Sequence, residues 1–161
     1  MSVMVILLLF SMLFVFWFDG TRYTIPNWLV CLLLISYPIA IVMSHHAVNW
    51  PQALAGALIV LITGYIIFVK KLMGGGDIKL LSVCALWVGL ENLADFLVAV
   101  SLTGGAFAVA VWCIRKGLQY LPKKPANLPR ILRDREPVPY GVAIAIGFLW
   151  MMWEGKVPVI L

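Results

Sequence analysis

Charged residues are scarce in this chain of 161 residues. Only 12% of its residues are charged and 63% are hydrophobic, whereas an average soluble domain carries about 25% charged residues. A soluble fold of this length could not bury so much apolar surface, because small domains keep a large share of their surface in water. Disorder is excluded as well, since disordered chains combine low hydrophobicity with high charge. The composition therefore indicates an integral membrane protein.

Paired cysteines are also missing. Cys31, Cys84 and Cys113 stand singly in apolar runs and form no C-x-x-C motif, so neither a zinc site nor a disulfide framework is indicated. We expect the three thiols to pack as small hydrophobic groups. His45 and His46 are adjacent and lie in a predicted loop, where we interpret them as polar loop residues. No metal ion and no cofactor are expected.

Six apolar runs approach the roughly 20 residues that a spanning helix needs. They predict an all-α polytopic membrane protein, a bundle of six transmembrane helices that forms a single membrane domain over residues 1–161. The first run lacks the basic start and the A-x-A-like end of a cleavable signal peptide, so we interpret it as a mature helix. The predicted helices cover approximately residues 2–18, 25–43, 52–69, 78–90, 96–114 and 138–153.

Lys and Arg are absent from two of the five predicted loops. Eleven of the twelve basic residues lie in or directly beside the loops 19–24, 70–77 and 115–137, and the exception is Lys156. Cytoplasmic loops carry the excess of Lys and Arg, so we expect these three loops to face the cytoplasm and both termini to lie on the outer side. An odd number of spans would scatter these charges, which further supports six spans.

The acidic residues are the main functional evidence, because there are only seven of them. Five look like ordinary interfacial charges. Asp19 and Asp77 instead lie at the cytoplasmic edges of two predicted spans, and an acidic residue at membrane depth is costly and tends to mark function. From placement alone, the alternative of two unrelated interfacial aspartates paired with Arg22 and Lys79 stays equally open.

The residues around the two aspartates favour a functional role. The run Gly74–Gly76 precedes Asp77; glycine permits backbone conformations closed to other residues, and it clears side chains from around the carboxylate so that a second chain could approach. Asp19 is followed by Pro26 and Asn27, and Pro26 suits the first turn of a helix. Helix dipoles favour negative charge at a helix start. We therefore predict an ionised Asp77 and a protonated Asp19, at the end of its helix, although the positive charge of Arg22 close to Asp19 could reverse the assignment.

These residues resemble the motifs of the type IV prepilin peptidases, membrane aspartic proteases with a G-x-G-D motif. That family also has an aspartate at the end of its first helix with Pro-Asn seven and eight residues later, and the stretch 139–143 is similar to the opening of its last helix. The positions that match the two motifs and their surroundings are Asp19, Pro26, Asn27, Gly74, Gly76, Asp77 and Lys79.

The resemblance implies an aspartic endopeptidase of the bacterial cytoplasmic membrane, with Asp19 and Asp77 as its catalytic pair. It would remove the basic leader from prepilins or pseudopilins, the substrate partners, at the cytoplasmic membrane border. The chain lacks the extra domain with paired C-x-x-C motifs that is linked to methylation, so it resembles the compact members associated with Flp/Tad pili, and no methyltransferase activity is expected. Membrane lipid is the other expected partner, and no nucleic acid is expected.

Two other function classes remain open from the residues alone. A small ion- or proton-coupled transporter or channel subunit could use Asp19 and Asp77 as ion sites, but such sites are typically carboxylates near the membrane midplane beside broken helices. A structural or assembly subunit would need neither aspartate.

Overall fold

The computed structural model describes residues 3–44, 47–119, 132 and 139–160. This part of the chain contains six α-helices and no strand, which confirms the all-α prediction. The helices are α1 (Val3–Arg22), α2 (Asn27–Met43), α3 (Trp50–Val69), α4 (Gly75–Val88), α5 (Leu93–Gln119) and α6 (Tyr140–Trp153).

Three of these helices are long and apolar enough to cross a membrane. They are α1, α3 and α5, while α2 and α6 are shorter apolar helices and α4 has 14 residues. The protein is thus a membrane protein with three helices of spanning length. A count of six spans stays a prediction. Helices α4 and α6 have 14 residues each, which is shorter than a spanning helix needs, and α2, with 17 residues, is at the lower limit.

Helices α4 and α6 form the centre of the bundle. Helix α4 packs against α3, α6 and α2, and α6 packs against α5, α1 and α4. Most residues of these two helices are buried, including Trp87 of α4 and Phe148 of α6. The indole N–H of Trp87 donates to the carbonyl oxygen of Leu33 at 3.0 Å, which ties α2 to the centre. The other helices surround this pair.

Small residues let α3 approach α4 closely. The buried positions of α3 are Ala53, Gly56, Val60 and Gly64, and a Cβ atom at Gly64 would lie 2.6 Å from Cγ2 of Ile78. The absence of a side chain at Gly64 therefore allows the two helices to pack this closely. The contact lies one residue beyond Asp77 and places α3 beside the start of α4.

The outer faces of the surrounding helices are apolar. Large hydrophobic side chains such as Phe10, Trp17, Ile62 and Leu102 are exposed. A continuous apolar surface of this kind fits lipid rather than water. The cysteines follow the same division, since Cys84 is buried while Cys31 and Cys113 are exposed, so the expectation of packed thiols holds inside the protein for Cys84 alone.

The residues after α6 fold back over the end of the bundle opposite the beginning of α4. Val157 and Val159 are buried, and the carbonyl oxygen of Lys156 accepts a hydrogen bond from the Asn92 side chain at 3.2 Å. The Lys156 ammonium lies 2.8 Å from a carboxylate oxygen of Asp95 and 3.0 Å from one of Glu154. The one basic residue outside the predicted cytoplasmic loops is therefore matched by two acidic groups.

Candidate active site

Asp19 lies in the last turn of α1 and is almost fully enclosed. Its side chain is 3% exposed, and its Oδ2 accepts a hydrogen bond from the backbone N–H of Val142, at the start of α6, at 3.0 Å. The sequence predicts that the first span ends before Asp19, whereas the helix continues to Arg22. Tyr23, whose φ is 55°, then ends the helix in the left-handed conformation that usually falls to glycine.

Asp77 lies in the first turn of α4, as its third residue. Its carboxylate reaches back to the backbone N–H of Gly74, the residue that caps the helix. An acidic side chain at this position commonly satisfies the free amide of the cap residue. The G-x-G-D pattern is thus a helix start in which the catalytic candidate also serves as part of the cap.

The glycines before Asp77 are required for space and not for an unusual backbone. The prediction that they adopt conformations closed to other residues is wrong, because none of them has a positive φ. A Cβ at Gly74 would lie 2.9 Å from Oδ2 of Asp77, one at Gly75 would lie 3.3 Å from the Phe68 ring, and one at Gly76 would lie 3.4 Å from Ile25. The missing side chains leave room for the carboxylate and its neighbours.

The two aspartates line one cavity of about 650 Å³. Asp77 is only partly buried, so the cavity reaches it more openly than it reaches Asp19. Burial and the neighbouring Asp19 carboxylate raise the pKa of Asp77 to about 7, because two close carboxylates cannot both ionise easily. The remaining lining residues are Tyr23, Phe68, Val69, Lys71, Leu72, Met73, Gly74, Pro139 and Tyr140.

The bases suggested as simple charge partners make other contacts. The Arg22 guanidinium lies 5.4 Å from the centroid of the Phe18 ring, and the Lys79 ammonium donates to Oδ1 of Asn27 at 3.2 Å. The Lys79 contact joins the start of α2 to the start of α4 and so helps to hold α1 and α4 in their relative positions. Pro26 lies directly before α2 and turns the chain from α1 into it.

Sequence reasoning missed two cavity residues, and it noted the third part of this site, the start of α6, without predicting its contact with Asp19. Tyr23 and Lys71 line the cavity and have φ values of 55° and 58°, so they end α1 and α3 in a conformation that is costly for residues other than glycine. Nothing in their residue types signals this. The third part, the start of α6, does have a signal, the small residue Gly141 within the family-like stretch 139–143.

Several predictions fall outside the described residues. They concern His45, His46 and most of the basic loop 115–137, of which 115–119 belong to α5. In the part of the chain that the structure describes, no group of three or more His, Cys, Asp or Glu side chains could hold a metal ion. The chemistry available to the cavity from these residues is that of two carboxyl groups.

Comparison with known proteins gives one match. No significant match was found among curated proteins or solved structures. A sequence model of the type IV leader peptidase family matches residues 6–109, which is more than half of the chain and includes both aspartates and the glycine run. The geometry of the cavity and this match agree, and the chain belongs to the type IV leader peptidase family.

Proposed function

We propose that the protein is a membrane aspartic endopeptidase that removes the basic leader peptide from prepilins or pseudopilins. Asp19 and Asp77 are its catalytic pair. One observation carries the proposal: the two aspartates come from helices that are distant in sequence, yet they line the same cavity. Membership in the leader peptidase family supports the class of substrate.

Two carboxyl groups that share one proton supply the chemistry of peptide hydrolysis. The ionised group takes a proton from water while the oxygen of that water attacks the scissile carbonyl carbon, and the neutral group donates its proton to the carbonyl oxygen. The resulting gem-diol intermediate collapses as its C–N bond breaks. The leaving nitrogen receives a proton from the carboxyl that took one from water, and one hydroxyl of the intermediate returns a proton to the carboxylate that donated one. The raised pKa of Asp77 places this shared proton within the neutral pH range.

The lining of the cavity suits an apolar, extended segment of substrate. Phe68, Leu72, Met73 and Tyr140 line it together with the two aspartates, and Gly74 is exposed at its edge. A prepilin is a spanning apolar helix preceded by a basic leader. Its helix would lie in the lipid against the bundle, with the residues around the cut extended across the glycine run.

The proposed setting is the bacterial cytoplasmic membrane, with six spans, both termini on the outer side and the site at the cytoplasmic border. The basic loop 115–137 would then face anionic lipid headgroups, which attract nearby basic residues by about 1 kcal/mol each. The protein resembles compact Flp/Tad-type members, and we propose no methyl transfer for it. A transporter role is less well supported, since Asp19 and Asp77 lie in terminal helical turns and not at interrupted helices near a midplane.

Leader cleavage in cells tests the proposal. The protein is co-expressed with a panel of prepilin-type reporters, each with a basic leader joined to an apolar helix, and cleavage is read as a mobility shift with the new N-terminus sequenced. Asp19→Asn and Asp77→Asn should each lower cleavage at least about 100-fold, the usual scale of acid–base contributions. Expression and membrane insertion should not change.

Asp95→Asn is the matched control, because Asp95 is an exposed aspartate that pairs with Lys156 away from the cavity. It should cleave at the normal rate. Full cleavage by either Asp19→Asn or Asp77→Asn would rule out the carboxylate pair as the catalytic groups. If the unmodified protein cuts no reporter of the panel, the proposed substrate class is ruled out.

A further inference from the structure

The first turn of α6 contacts Asp19 directly, although α6 lies outside residues 6–109 that match the family. The N–H of Val142 donates to Oδ2 of Asp19 at 3.0 Å, and the backbone N–H of Gly141 interacts with the same carboxylate. The amides of a first helical turn have no carbonyl partner within their own helix. They are therefore free to bind the carboxylate.

Gly141 is what allows this approach. A Cβ atom there would lie 2.6 Å from Oδ2 and 2.9 Å from Cγ of Asp19, and 2.9 Å from Cδ1 of Ile25. Real Cβ atoms do not come so close to neighbouring heavy atoms, so a side chain at this position would push the start of α6 away from α1. The fit is specific to glycine in the first turn.

Because Asp19 is buried, its hydrogen bonds with α6 decide whether its carboxyl group can be ionised. Asp19 is 3% exposed, and a buried charge is tolerated only when hydrogen bonds replace its water. Amides at a helix start provide such hydrogen bonds, and the helix dipole favours negative charge at the same place. The partner carboxyl, Asp77, interacts with the amide of Gly74 and is more open to the cavity.

We propose that the first turn of α6 is a third part of the catalytic site, in which the amides of Gly141 and Val142 position Asp19 and keep it as the ionised partner. Asp77 then holds the shared proton and faces the substrate carbonyl. This inference rests on the proposed peptidase function and deepens it. It assigns the water-activating role to Asp19 and the carbonyl-polarising role to Asp77.

The assignment reverses the one made from the sequence. The sequence pattern sets the end of α1 against the start of α4 and gives the proton to Asp19, but it does not reveal the contact with Val142 of α6, 123 positions further along the chain. Among the residues that the structure describes, the charged or titratable groups that share the cavity with Asp19 are Tyr23, which follows α1, Lys71, which follows α3, Asp77 of α4 and Tyr140 of α6. Arg22 lies three residues after Asp19 in the last turn of α1.

Val142→Pro removes the N–H that donates to Asp19, and Val142→Ala keeps it. Val142 is the third residue of α6, where the amide has no partner within the helix, so the proline costs no intrahelical hydrogen bond. We expect Val142→Pro to lower kcat at least about 10-fold with little change in KM. Its acid limb of activity should move to higher pH by about one unit or more, the scale of a hydrogen bond to a charged group. Val142→Ala keeps the N–H, so the acid limb of its activity should stay at the pH of the unmodified protein.

Gly141→Ala is the second variant, and Gly105→Ala is its control, because a Cβ at Gly105 meets nothing within 4 Å. Gly141→Ala should show the same fall in kcat and the same shift of the acid limb, and Gly105→Ala should show neither. If Val142→Pro loses its melting transition in detergent, Gly141→Ala decides the question alone. Normal activity with an unshifted pH profile in the folded variants would overturn the proposal.

Infrared spectroscopy separates this inference from the proposed function, because it needs no substrate. Two double variants are compared, Asp77→Asn with Val142→Pro and Asp77→Asn with Val142→Ala. In each, the infrared carboxyl band of Asp19 is followed as the pH is changed. We expect Asp19 to protonate at higher pH with the proline variant and unchanged with the alanine variant. Identical titrations would overturn the α6 assignment even if leaders are cut, whereas uncut reporters together with the expected titration would leave the assignment standing and overturn the peptidase function.

Discussion

Asp19 and Asp77 have different surroundings, although each is an aspartate beside a helix start. Asp19 is enclosed against α6, while Asp77 closes the start of its own helix and is partly exposed. The raised pKa of Asp77 has a cost for stability. The folded protein must hold a carboxyl whose ionisation is disfavoured by burial and by its neighbour.

Asp77→Asn should therefore stabilise the protein at alkaline pH. The pKa of Asp77 rises from 3.8 to about 7 on folding, so the folded state binds more protons in this interval and its stability falls as the pH increases through it. We expect the variant to melt at a higher temperature at about pH 8, by an amount corresponding to a few kcal/mol, and the gain to shrink toward about pH 4.

Thermal melts in detergent across this pH range measure the effect. Asp95→Asn is again the control, since Asp95 is exposed and its replacement should give no such pH-dependent gain. A constant difference between Asp77→Asn and the unmodified protein at all pH values would contradict the raised pKa.

The residue types predicted several of the residues that line the site, but they did not predict which hydrogen bonds surround each aspartate. The spacing of Asp19, Pro26 and Asn27 and the glycine run before Asp77 predicted which residues meet, because each motif is local and the topology places both on one face. The contact of Gly141 and Val142 with Asp19 is long-range, and no local pattern encodes which helix start faces a given side chain. Of the two reasons given for the glycine run, the structure supports the need for space around the carboxylate and contradicts an unusual backbone conformation.

At the level of helices, glycines determine how closely the surrounding helices pack against the central helices α4 and α6. A Cβ at Gly64 would meet the flexible side chain of Ile78, at 2.6 Å from its Cγ2. A Cβ at Gly147 of α6 would meet Val100 of α5 at its backbone, 3.1 Å from the nitrogen and 3.2 Å from Cα. A side chain can move aside, whereas a helix backbone moves only with its helix.

Gly147→Ala should accordingly destabilise the protein more than Gly64→Ala. Overpacking of this kind costs about 1–3 kcal/mol, and we expect Gly64→Ala at the lower end because its contact is with side-chain atoms of Ile78 and not with a helix backbone. Chemical or thermal unfolding in detergent gives the order. Gly105→Ala should be neutral or slightly stabilising, since its site is open and alanine favours helix. A larger loss for Gly64→Ala would show that the α3–α4 contact is the more rigid one.

The spacing of small residues permits close approach of helices but does not say which helices meet. Ala143 and Gly147, for example, stand four apart in the sequence and so lie on one face of α6. Which helix lies against that face depends on the packing of the entire bundle. The predicted α-helical class depended on apolar run length alone, and so it was the easier inference.

For the whole molecule, charge predicts orientation. The excess of Lys and Arg in three loops predicts that both termini lie outside. Lys156 is the exception to this charge pattern, and it is paired with Asp95 and Glu154. If the predicted orientation is right, the segment that carries this lysine outward brings compensating acidic groups with it.

Terminal fusions test this orientation. A phosphatase that is active only outside the cytoplasm should be active at either terminus, and a fluorescent protein that matures only in the cytoplasm should be dark there. The same two reporters inserted within residues 120–138 should give the opposite pattern, which serves as the internal control. Fluorescence at either terminus would contradict the six-span arrangement.

The shortness of α4 and α6 has a consequence for the membrane itself. Each has 14 residues, or about 21 Å of helix, while a typical hydrocarbon core is about 30 Å thick. The longer helices α1, α3 and α5 surround them. The outer helices of the bundle are therefore long enough to cross the hydrocarbon core, whereas the two central helices are shorter than it is thick. Such hydrophobic mismatch is relieved by thinning the bilayer locally. Lipid acyl-chain length would then set how deeply the two carboxyl groups lie below the headgroups, and how readily water reaches them.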